Sequence, residues 1–272
     1  MSDVEAAVRT LKVFEVFSRE KRPLSLSVLA THIDIPVSSC LLLIRTLLRR
    51  GYLYQAASQG GYYPTKRMLE HAALIAEHDP ILEQLQEMLT TLRDRTEETI
   101  ALSKLQGVRA IYLAVFDSPQ MVRPSVSAGA LRPLHSTSMG KALLGGLSEA
   151  DRKALLDEIE FPRFTTRTIT SRARLEAEIE KSAAQGWYSN EGETVADLSA
   201  VSVPIHVGSE VYAISILGPS HRFIPKLDKH VKSLKKACAE WNAGGASASA
   251  QGRSKSQAGR RRAVMVEAEP EE

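Results

Sequence analysis

Ser138 and Lys141 are the first pair in this 272-residue sequence whose types and spacing could support catalysis. They fit the S-x-x-K pattern, in which the serine of an acyl enzyme is the nucleophile. Such enzymes also need S-D-N and K-T-G segments, and the sequence contains neither. Gly140-Lys141 resembles the end of a phosphate-binding loop, but Ala142 follows where Ser or Thr is required. We therefore interpret Lys141 as a structural residue that pairs with a carboxylate or a helix end.

The histidines and cysteines are not spaced as metal ligands or as parts of a catalytic triad. The seven histidines form no H-x-x-x-H pair, and no G-x-S-x-G is present. Cys40 and Cys238 both lie in helical patterns, which favours buried thiols over a disulfide. The sequence therefore predicts a protein that is not an enzyme and that carries no cofactor or metal.

The stretch Ser25–Gly51 is a second candidate for function, and it contains no catalytic pattern. Its pattern predicts two helices joined by a tight turn, the second running from about Pro36 to Arg50. Pro36 suits a first helical position, and Gly51 suits the left-handed residue after a helix end. The spacing is typical of a helix-turn-helix, whose second helix enters the major groove.

The second helix of this motif has a mixed surface. Leu41, Ile44 and Leu48 share one face, which we expect to pack against the first helix, while Leu42 falls on the other. Leu42 either contacts thymine methyl groups or packs against a neighbouring segment, in which case direct readout is weak. We favour the DNA reading, with these contact residues: Ser38, Ser39, Leu42, Arg45, Arg49, Lys66 and Arg67.

Flanking elements complete a winged helix-turn-helix. An amphipathic helix precedes the motif and ends near Ser18, and Tyr52–Gln55 with Tyr62–Pro64 predict a hairpin around the turn 57–61. Residues 1–67 carry ten Lys and Arg against five Asp and Glu, a net +5, whereas residues 68–252 carry twenty against twenty-three, a net −3. A basic first module predicts contact with a polyanion.

The remainder predicts an α+β domain with a sheet and segregated helices. Asp79 is expected to cap a helix over Pro80–Arg95, and Gly129–Gly146 is expected to lead from a loop into a short helix. The predicted strands are Thr99–Gln106, Arg109–Phe116, Val122–Val126, Trp187–Asn190, Leu198–His206 and Glu210–Leu217.

We thus divide the chain into a winged helix-turn-helix domain (1–67), a linker helix (68–79), an effector-binding domain (80–243) and a tail (244–272) that is expected to be disordered. No apolar run has the length of a membrane span, and the N-terminus lacks a signal-peptide core. We therefore expect a cytoplasmic protein without a membrane partner.

Three segments resemble the IclR family of bacterial transcriptional regulators. Pro133–Leu156 is similar to its signature around "GKA", Gly186–Ile205 to its segment with a glycine, an aromatic residue and acidic residues, and Ala213–Phe223 to its "SxxGP" strand end. The resemblance covers residues 4–243. It implies a winged-helix reader of a double-stranded operator, a GAF-like α/β effector domain, and a homodimer or homotetramer joined through the linker helix.

The resemblance also implies a pocket for a small organic acid. Asn190 stands where the family commonly has an acidic residue, and Ala200 and Leu217 stand where small polar residues are frequent. The ligand is therefore expected to be less polar than a very small dicarboxylate or keto acid. An aromatic or longer-chain acid fits this expectation. The alternatives are a plain helix cap by Ser136–Ser138 and a metabolite-binding module with degenerate DNA binding. The implied pocket residues are Ser138, Met139, Asn190, Ala200, Ser215 and Leu217.

Overall fold

The computed structural model describes residues 3–56 and 60–242. The chain divides into two compact units, with the border between Glu83 and Gln84. The border falls inside the helix Pro80–Thr96, close to the expected domain boundary at residues 79 and 80. The predicted tail, and residues 57–59 of the predicted hairpin turn, lie outside the described residues.

The first unit is a winged helix-turn-helix, as predicted. Its two central helices, α2 and α3, meet at 108°, an angle typical of that motif. Among the described residues, no single helix is long and apolar enough to cross a membrane. The elements are α1 (Glu5–Glu20), α2 (Leu26–Ile33), α3 (Val37–Arg49), β1 (Leu53–Ala56), β2 (Gly61–Pro64) and α4 (Arg67–Glu77).

Local caps explain where α2 and α3 begin and end. The Ser25 hydroxyl accepts a hydrogen bond from the Val28 N–H, and Asp34 ends α2 in the left-handed conformation with a φ of 56°. Pro36 lies one residue before α3, so its predicted place at the first helical position is wrong by one residue. Gly51 has a φ of +74°, which confirms the predicted left-handed residue after α3.

The core of the first unit corrects the predicted packing face of α3. Cys40, Ile44 and Leu47 are buried, whereas Leu41 and Leu48 are only half-buried. Ile44 is buried as predicted and Leu48 packs against the cluster at its edge, but the buried face of α3 is centred on Cys40, Ile44 and Leu47 and leaves Leu41 out of the core. The buried cluster consists of Val13, Val16, Phe17, Leu24, Leu29, Ala30, Ile33, Cys40, Ile44, Leu47 and Leu53.

The second unit contains a six-stranded antiparallel sheet with strand order β5-β4-β3-β8-β7-β6. The predicted strand at 122–126 is wrong, because the residues from 117 to 130 form an irregular segment and the edge strand comes later. The strands are β3 (Thr99–Gln106), β4 (Arg109–Phe116), β5 (Leu131–Pro133), β6 (Tyr188–Glu191), β7 (Leu198–Val207) and β8 (Glu210–Pro219).

Helices cover this sheet, as expected for an α+β domain. Asp79 caps the helix that begins at Pro80. Its carboxylate accepts hydrogen bonds from the N–H groups of Ile81 and Leu82 at 3.0 Å. The helices are α5 (Pro80–Thr96), α6 (Ser138–Gly146), α7 (Glu149–Glu158), α8 (Arg172–Gln185) and α9 (Ser220–Phe223), and a helix α10 is described over 227–242.

Both faces of the sheet are buried. α6 packs against β7 and β8 on one face of the sheet. Ala101 and Ala213 belong to the hydrophobic cluster between α6 and this face. Ile100 and Ile214 alternate with them along the strands and are fully buried on the other face.

A β-bulge shifts the pairing of β3 with β4. Leu102 pairs with Ala114, but Ser103 pairs with Tyr112, so β4 contains one extra residue at this point. Tyr112 and Val115 are three residues apart and yet contact the same core cluster beside α6. The bulge therefore sets which side chains of β4 face α6.

Candidate functional site

The second unit holds a cavity of about 1040 Å³ beside the start of α6. Its walls come from the first turn of α6, from the ends of β6, β7 and β8, and from the segments before and after β5. All six residues predicted for the pocket line this cavity: Ser138, Met139, Asn190, Ala200, Ser215 and Leu217.

Strand register explains why the later residues converge. Asn190 pairs with Ala200, and Ala200 pairs with Leu217, so these three form one row across β6, β7 and β8. Ser202 and Ser215 form the next row on the same face. Because side chains alternate along a strand, both rows point towards α6.

Three buried serines form a hydroxyl chain at one end of the cavity. Ser202 Oγ donates to Ser138 Oγ at 2.8 Å and lies 2.7 Å from Ser215 Oγ. A hydroxyl carries one hydrogen, so Ser215 must be the donor to Ser202. Ser202 was not among the predicted pocket residues, although its position two residues after Ala200 places it on the same face of β7.

The cap of α6 is separate from this chain. Thr137 Oγ1 accepts from the Gly140 N–H at 3.1 Å and donates to the Pro133 carbonyl at 2.7 Å. Ser138 lies inside the first turn. The Ser/Thr run thus caps the helix through Thr137 and contributes a side chain to the cavity through Ser138.

Asn190 lines the cavity, and a hydrogen bond to its amide oxygen fixes its side chain. Its Oδ1 accepts from the Glu193 N–H at 2.8 Å, so the polar atom left for other partners is the NH₂ group with its two hydrogens. Asn190 is 3% exposed and lines the cavity. Its side chain is therefore oriented as a donor.

Lys141 is a structural residue, as predicted. Its Nζ lies 2.6 Å from Glu193 Oε1 and 2.8 Å from the Ser189 carbonyl, and its side chain is 1% exposed. Burial raises the pKa of Glu193 more than the nearby Lys141 charge lowers it.

Gly140 allows α6 to approach the backbone of Leu134 closely, since a Cβ at Gly140 would lie 2.4 Å from the Leu134 carbonyl oxygen.

Aromatic rings form another part of the cavity lining. Tyr112, His135 and Phe164 line it, and the rings of His135 and Phe164 stack with centroids 5.8 Å apart. His135 Nε2 donates to the Pro162 carbonyl, and burial, chiefly, lowers the pKa of the imidazole. The Arg132 guanidinium lies over the Tyr112 ring at 5.9 Å from its centre. Sequence patterns did not indicate these rings, because three separate segments supply them.

The outer face of α3 presents most of the residues predicted to contact DNA. Ser38, Arg45 and Arg49 are exposed and Ser39 is half-buried. Leu42 is 66% exposed, so the prediction that it points outwards is confirmed. As far as the described residues go, the alternative in which it packs against a neighbouring segment is wrong.

The two predicted basic residues after the hairpin differ in their contacts. Lys66 is exposed. Arg67 donates to the Arg50 carbonyl at 2.8 Å and lies 5.2 Å from the centre of the Tyr52 ring. Arg67 thus fastens the start of α4 to the end of α3.

Within the described ranges, no group of three or more His, Cys, Asp or Glu side chains is placed to hold a metal ion.

Two family models match the chain. Residues 73–241 match the model described as bacterial transcriptional regulator IclR C-terminal, and residues 6–57 match the IclR helix-turn-helix domain. The chain is 25% identical to the HTH-type transcriptional regulator XynR of Escherichia coli strain K12. The alignment extends over 218 residues and covers 79% of this chain and 86% of that regulator.

Solved structures share the fold. The IclR of Thermotoga maritima aligns with a TM-score of 0.76 at 23% identity, over 88% of this chain and 97% of that one. An IclR homologue from Microbacterium hydrocarbonoxydans, solved with 4-hydroxybenzoate, aligns with a TM-score of 0.69 at 20% identity, over 87% of this chain and 97% of that one.

Proposed function

Because the chain belongs to the IclR family of DNA-binding transcriptional regulators, we propose that a small aromatic acid in the cavity of the second unit controls its affinity for an operator. Its relatives are named as regulators, and the chain is a regulator and not an enzyme. The observation that carries the proposal about the ligand is a set of hydrogen-bond donors, Ser138, Asn190 and Ser215, in a cavity whose lining is mostly apolar and includes three rings.

The donors favour an anionic oxygen. In the hydroxyl chain Ser215 donates to Ser202 and Ser202 to Ser138, so Ser138 keeps its own hydrogen for a ligand. Asn190 offers its NH₂ group, and the N–H groups of Ser138 and Met139, unlike the capped N–H of Gly140, have no acceptor within α6. A carboxylate accepts hydrogen bonds and donates none, so it matches this end of the cavity.

The size and lining of the cavity support an aromatic acid over a very small one. Pockets for drug-sized ligands span roughly 300–1,000 Å³, and this cavity reaches about 1040 Å³. Tyr112 and the His135–Phe164 stack provide ring surfaces, and Ala200 and Leu217 add apolar contact. The fold relative with bound 4-hydroxybenzoate suggests that compound as the first probe.

For the DNA contact we propose the exposed face of α3 with Lys66. Arg45 and Arg49 supply positive charge, Ser38 and Ser39 supply hydrogen bonds, and Leu42 supplies apolar contact. Arg67 already has partners inside the unit, so its proposed contact with phosphate has the weakest support of the seven.

We further propose a homodimer, or a tetramer of two dimers, in the cytoplasm. α4 has no buried residue, and Leu69, Leu74 and Ile75 on it are 65%, 58% and 74% exposed. An 11-residue helix is only marginally stable in water without packing, so a second copy would supply the missing contacts. Light scattering of the wild type and of Leu69→Glu tests this assembly.

The regulatory test measures binding to the protein's own upstream DNA and to random DNA, with and without 4-hydroxybenzoate. A ligand changes the affinity for DNA only if it prefers one arrangement of the protein. We expect the acid to change operator affinity about fivefold or more, and Ser215→Leu to abolish the response while DNA binding persists.

Two results contradict this function. Equal affinity for both DNAs with the same salt dependence indicates a metabolite-binding module with degenerate DNA binding. A response that is unchanged in Ser215→Leu removes the cavity from the mechanism.

Pyruvate serves as the small-acid control, since it lacks a ring to contact Tyr112.

A further inference from the structure

Arg222 joins two parts of the second unit that are far apart in sequence. Its Nε and Nη2 donate to Oε1 and Oε2 of Glu98 at 2.7 and 2.8 Å, and its Nη1 donates to the Val122 carbonyl at 2.6 Å. The Glu98 side chain is 4% exposed, and that of Arg222 is 21% exposed. One guanidinium therefore holds a buried carboxylate and a backbone carbonyl together.

The Val122 carbonyl belongs to a wall of the ligand cavity. Residues 122–126 all line it, and they lie in the irregular segment between β4 and β5. Ser118, just before this wall segment, donates its hydroxyl to the Glu97 carbonyl at 2.6 Å, and its N–H to Thr99 Oγ1 at 3.2 Å. The wall segment is thus fastened at two points to residues 97–99.

Residues 97–99 connect α5 with β3. Glu97 has a φ of +57°, so the chain turns sharply directly after α5. Glu98 in turn lies against the end of β8, where a Cβ on Gly218 would come within 2.4 Å of Glu98 Oε2. Leu217 and Pro219, on either side of Gly218, line the cavity. The Glu98 carboxylate therefore lies next to two walls of the cavity, the segment 122–126 and the end of β8.

We propose that Arg222 is a positioning residue that couples occupancy of the cavity to the end of α5, through the Val122 carbonyl on one side and Glu98 on the other. This inference rests on the proposed function, because it concerns how the ligand changes DNA affinity. α5 is the helix in which the border between the two units falls, so a displacement of residues 97–99 acts directly on it.

The geometry of arginine explains the choice of residue. Its planar guanidinium presents donors in fixed directions, so a shift of the Val122 carbonyl changes the best position for the Glu98 carboxylate. A lysine ammonium could keep the charge near Glu98, but it cannot reproduce the two-pronged contact and reach Val122 at once. Arg222→Lys therefore separates the charge from the geometric link.

The first experiment measures amide hydrogen exchange in the ligand-free full-length protein. In Arg222→Lys we expect exchange to become faster, by about threefold or more, both in 119–126 and in 97–100. The matched control is Arg172→Lys, since Arg172 pairs with Asp157 and Glu176 and does not line the cavity. Unchanged exchange in either segment overturns the link.

A second variant serves if Arg222→Lys does not fold. Gly218→Ala leaves Arg222 in place but pushes a Cβ against the Glu98 carboxylate. We expect the same two segments, and not α7, to exchange faster. Faster exchange at 97–100 without a change at 119–126 would overturn the inference.

The second experiment measures operator affinity with and without 4-hydroxybenzoate. We expect Arg222→Lys to bind 4-hydroxybenzoate within about threefold of wild type, while the effect of this acid on operator affinity falls at least about fivefold. A retained effect overturns the coupling. If the wild type itself does not respond, the proposed function fails, and the exchange measurement still decides whether Arg222 links the two segments.

Discussion

Lys141 Nζ lies 2.6 Å from Glu193 Oε1, and the two side chains are 1% and 11% exposed. The pair joins α6 to the segment after β6. Residues on both sides of it, Met139 and Asn190, line the cavity of the second unit. An ion pair in such a position holds two cavity walls together, and the removal of one partner leaves the other charge buried.

Lys141→Met should therefore lower the free energy of unfolding by about 3–5 kcal/mol, because Glu193 keeps a buried carboxylate without its cation. Urea denaturation followed by circular dichroism measures this. The matched control is Lys181→Met on α8, where the lysine is exposed and the change should stay within about 0.5 kcal/mol. A loss below about 1 kcal/mol for Lys141→Met would show that the pair contributes little to stability.

Ser202→Ala should weaken the binding of 4-hydroxybenzoate although Ser202 does not itself line the cavity. The change removes the middle hydroxyl of the chain, which orients Ser138 and Ser215, and should cost about 1 kcal/mol, a roughly fivefold higher Kd by calorimetry. Ser199→Ala is the control, because the Ser199 hydroxyl pairs with Ser220 at 2.9 Å. Equal Kd values for the two variants would contradict a role for the chain.

Arg45→Ala should raise the free energy of operator binding by about 1–3 kcal/mol and relax base preference at one position, if Arg45 reads a base. Selection from a randomised operator library measures both effects. Arg22→Ala provides a comparison, since the Arg22 side chain is exposed outside α3 and pairs with Glu20. Uniform weakening on all sequences would assign Arg45 to a phosphate.

Leu42 should make the protein sensitive to thymine methyl groups. It is 66% exposed on the outer face of α3, where an apolar side chain gains most from a methyl group in the major groove. Replacing thymine by uracil at the contacted position should reduce affinity for the wild type but not for Leu42→Ala, as measured by fluorescence anisotropy. Equal sensitivity of both proteins to uracil would place the methyl contact elsewhere.

His230→Phe should make the protein more tolerant of acid. Burial, chiefly, lowers the pKa of His230 from 6.5, with Glu98 raising it and Lys226 and Lys229 lowering it further. The folded state therefore binds this proton less tightly than the unfolded state, and wild-type stability falls as the pH drops below about 6.5.

Phenylalanine keeps the ring that stacks on Phe223, with centroids 4.6 Å apart, and removes the titration. The melting temperature of His230→Phe should therefore fall less than that of the wild type between pH 7.5 and pH 5.5, two values chosen as about one unit to either side of 6.5. His221→Gln, at an exposed position, should behave like the wild type. A wild-type slope in His230→Phe would show that other groups cause the acid sensitivity.

Elements with strong local signals could be predicted from the sequence. Asp79 caps the helix that follows it, and the bounds of β3 and β4 agree with the prediction. Residues 122–126, with a valine at either end, also resembled a strand. Their backbone instead follows the irregular segment that Arg222 fastens, and β5 forms the edge of the sheet. Such a choice depends on distant partners, which a local pattern does not contain.

The cavity of the second unit was predictable where a resemblance or a strand period pointed to it. Ser202 could have been inferred from Ala200 by alternation along β7. Tyr112 could not, because its place depends on a bulge, and the Arg222–Glu98 pair spans 124 residues without any shared motif. Long-range contacts of this kind appear only when the chain is folded.

The extra residue at Leu113 has a consequence for comparing this chain with its relatives. The bulge absorbs a one-residue length difference inside β4 and leaves the pairing with β3 intact on both sides. A relative without the bulge would align with this chain only if a gap were opened at that point. Cavity residues transferred across an ungapped alignment would then be displaced by one position before the bulge, and Tyr112 would be matched with a residue that faces the opposite side of the sheet.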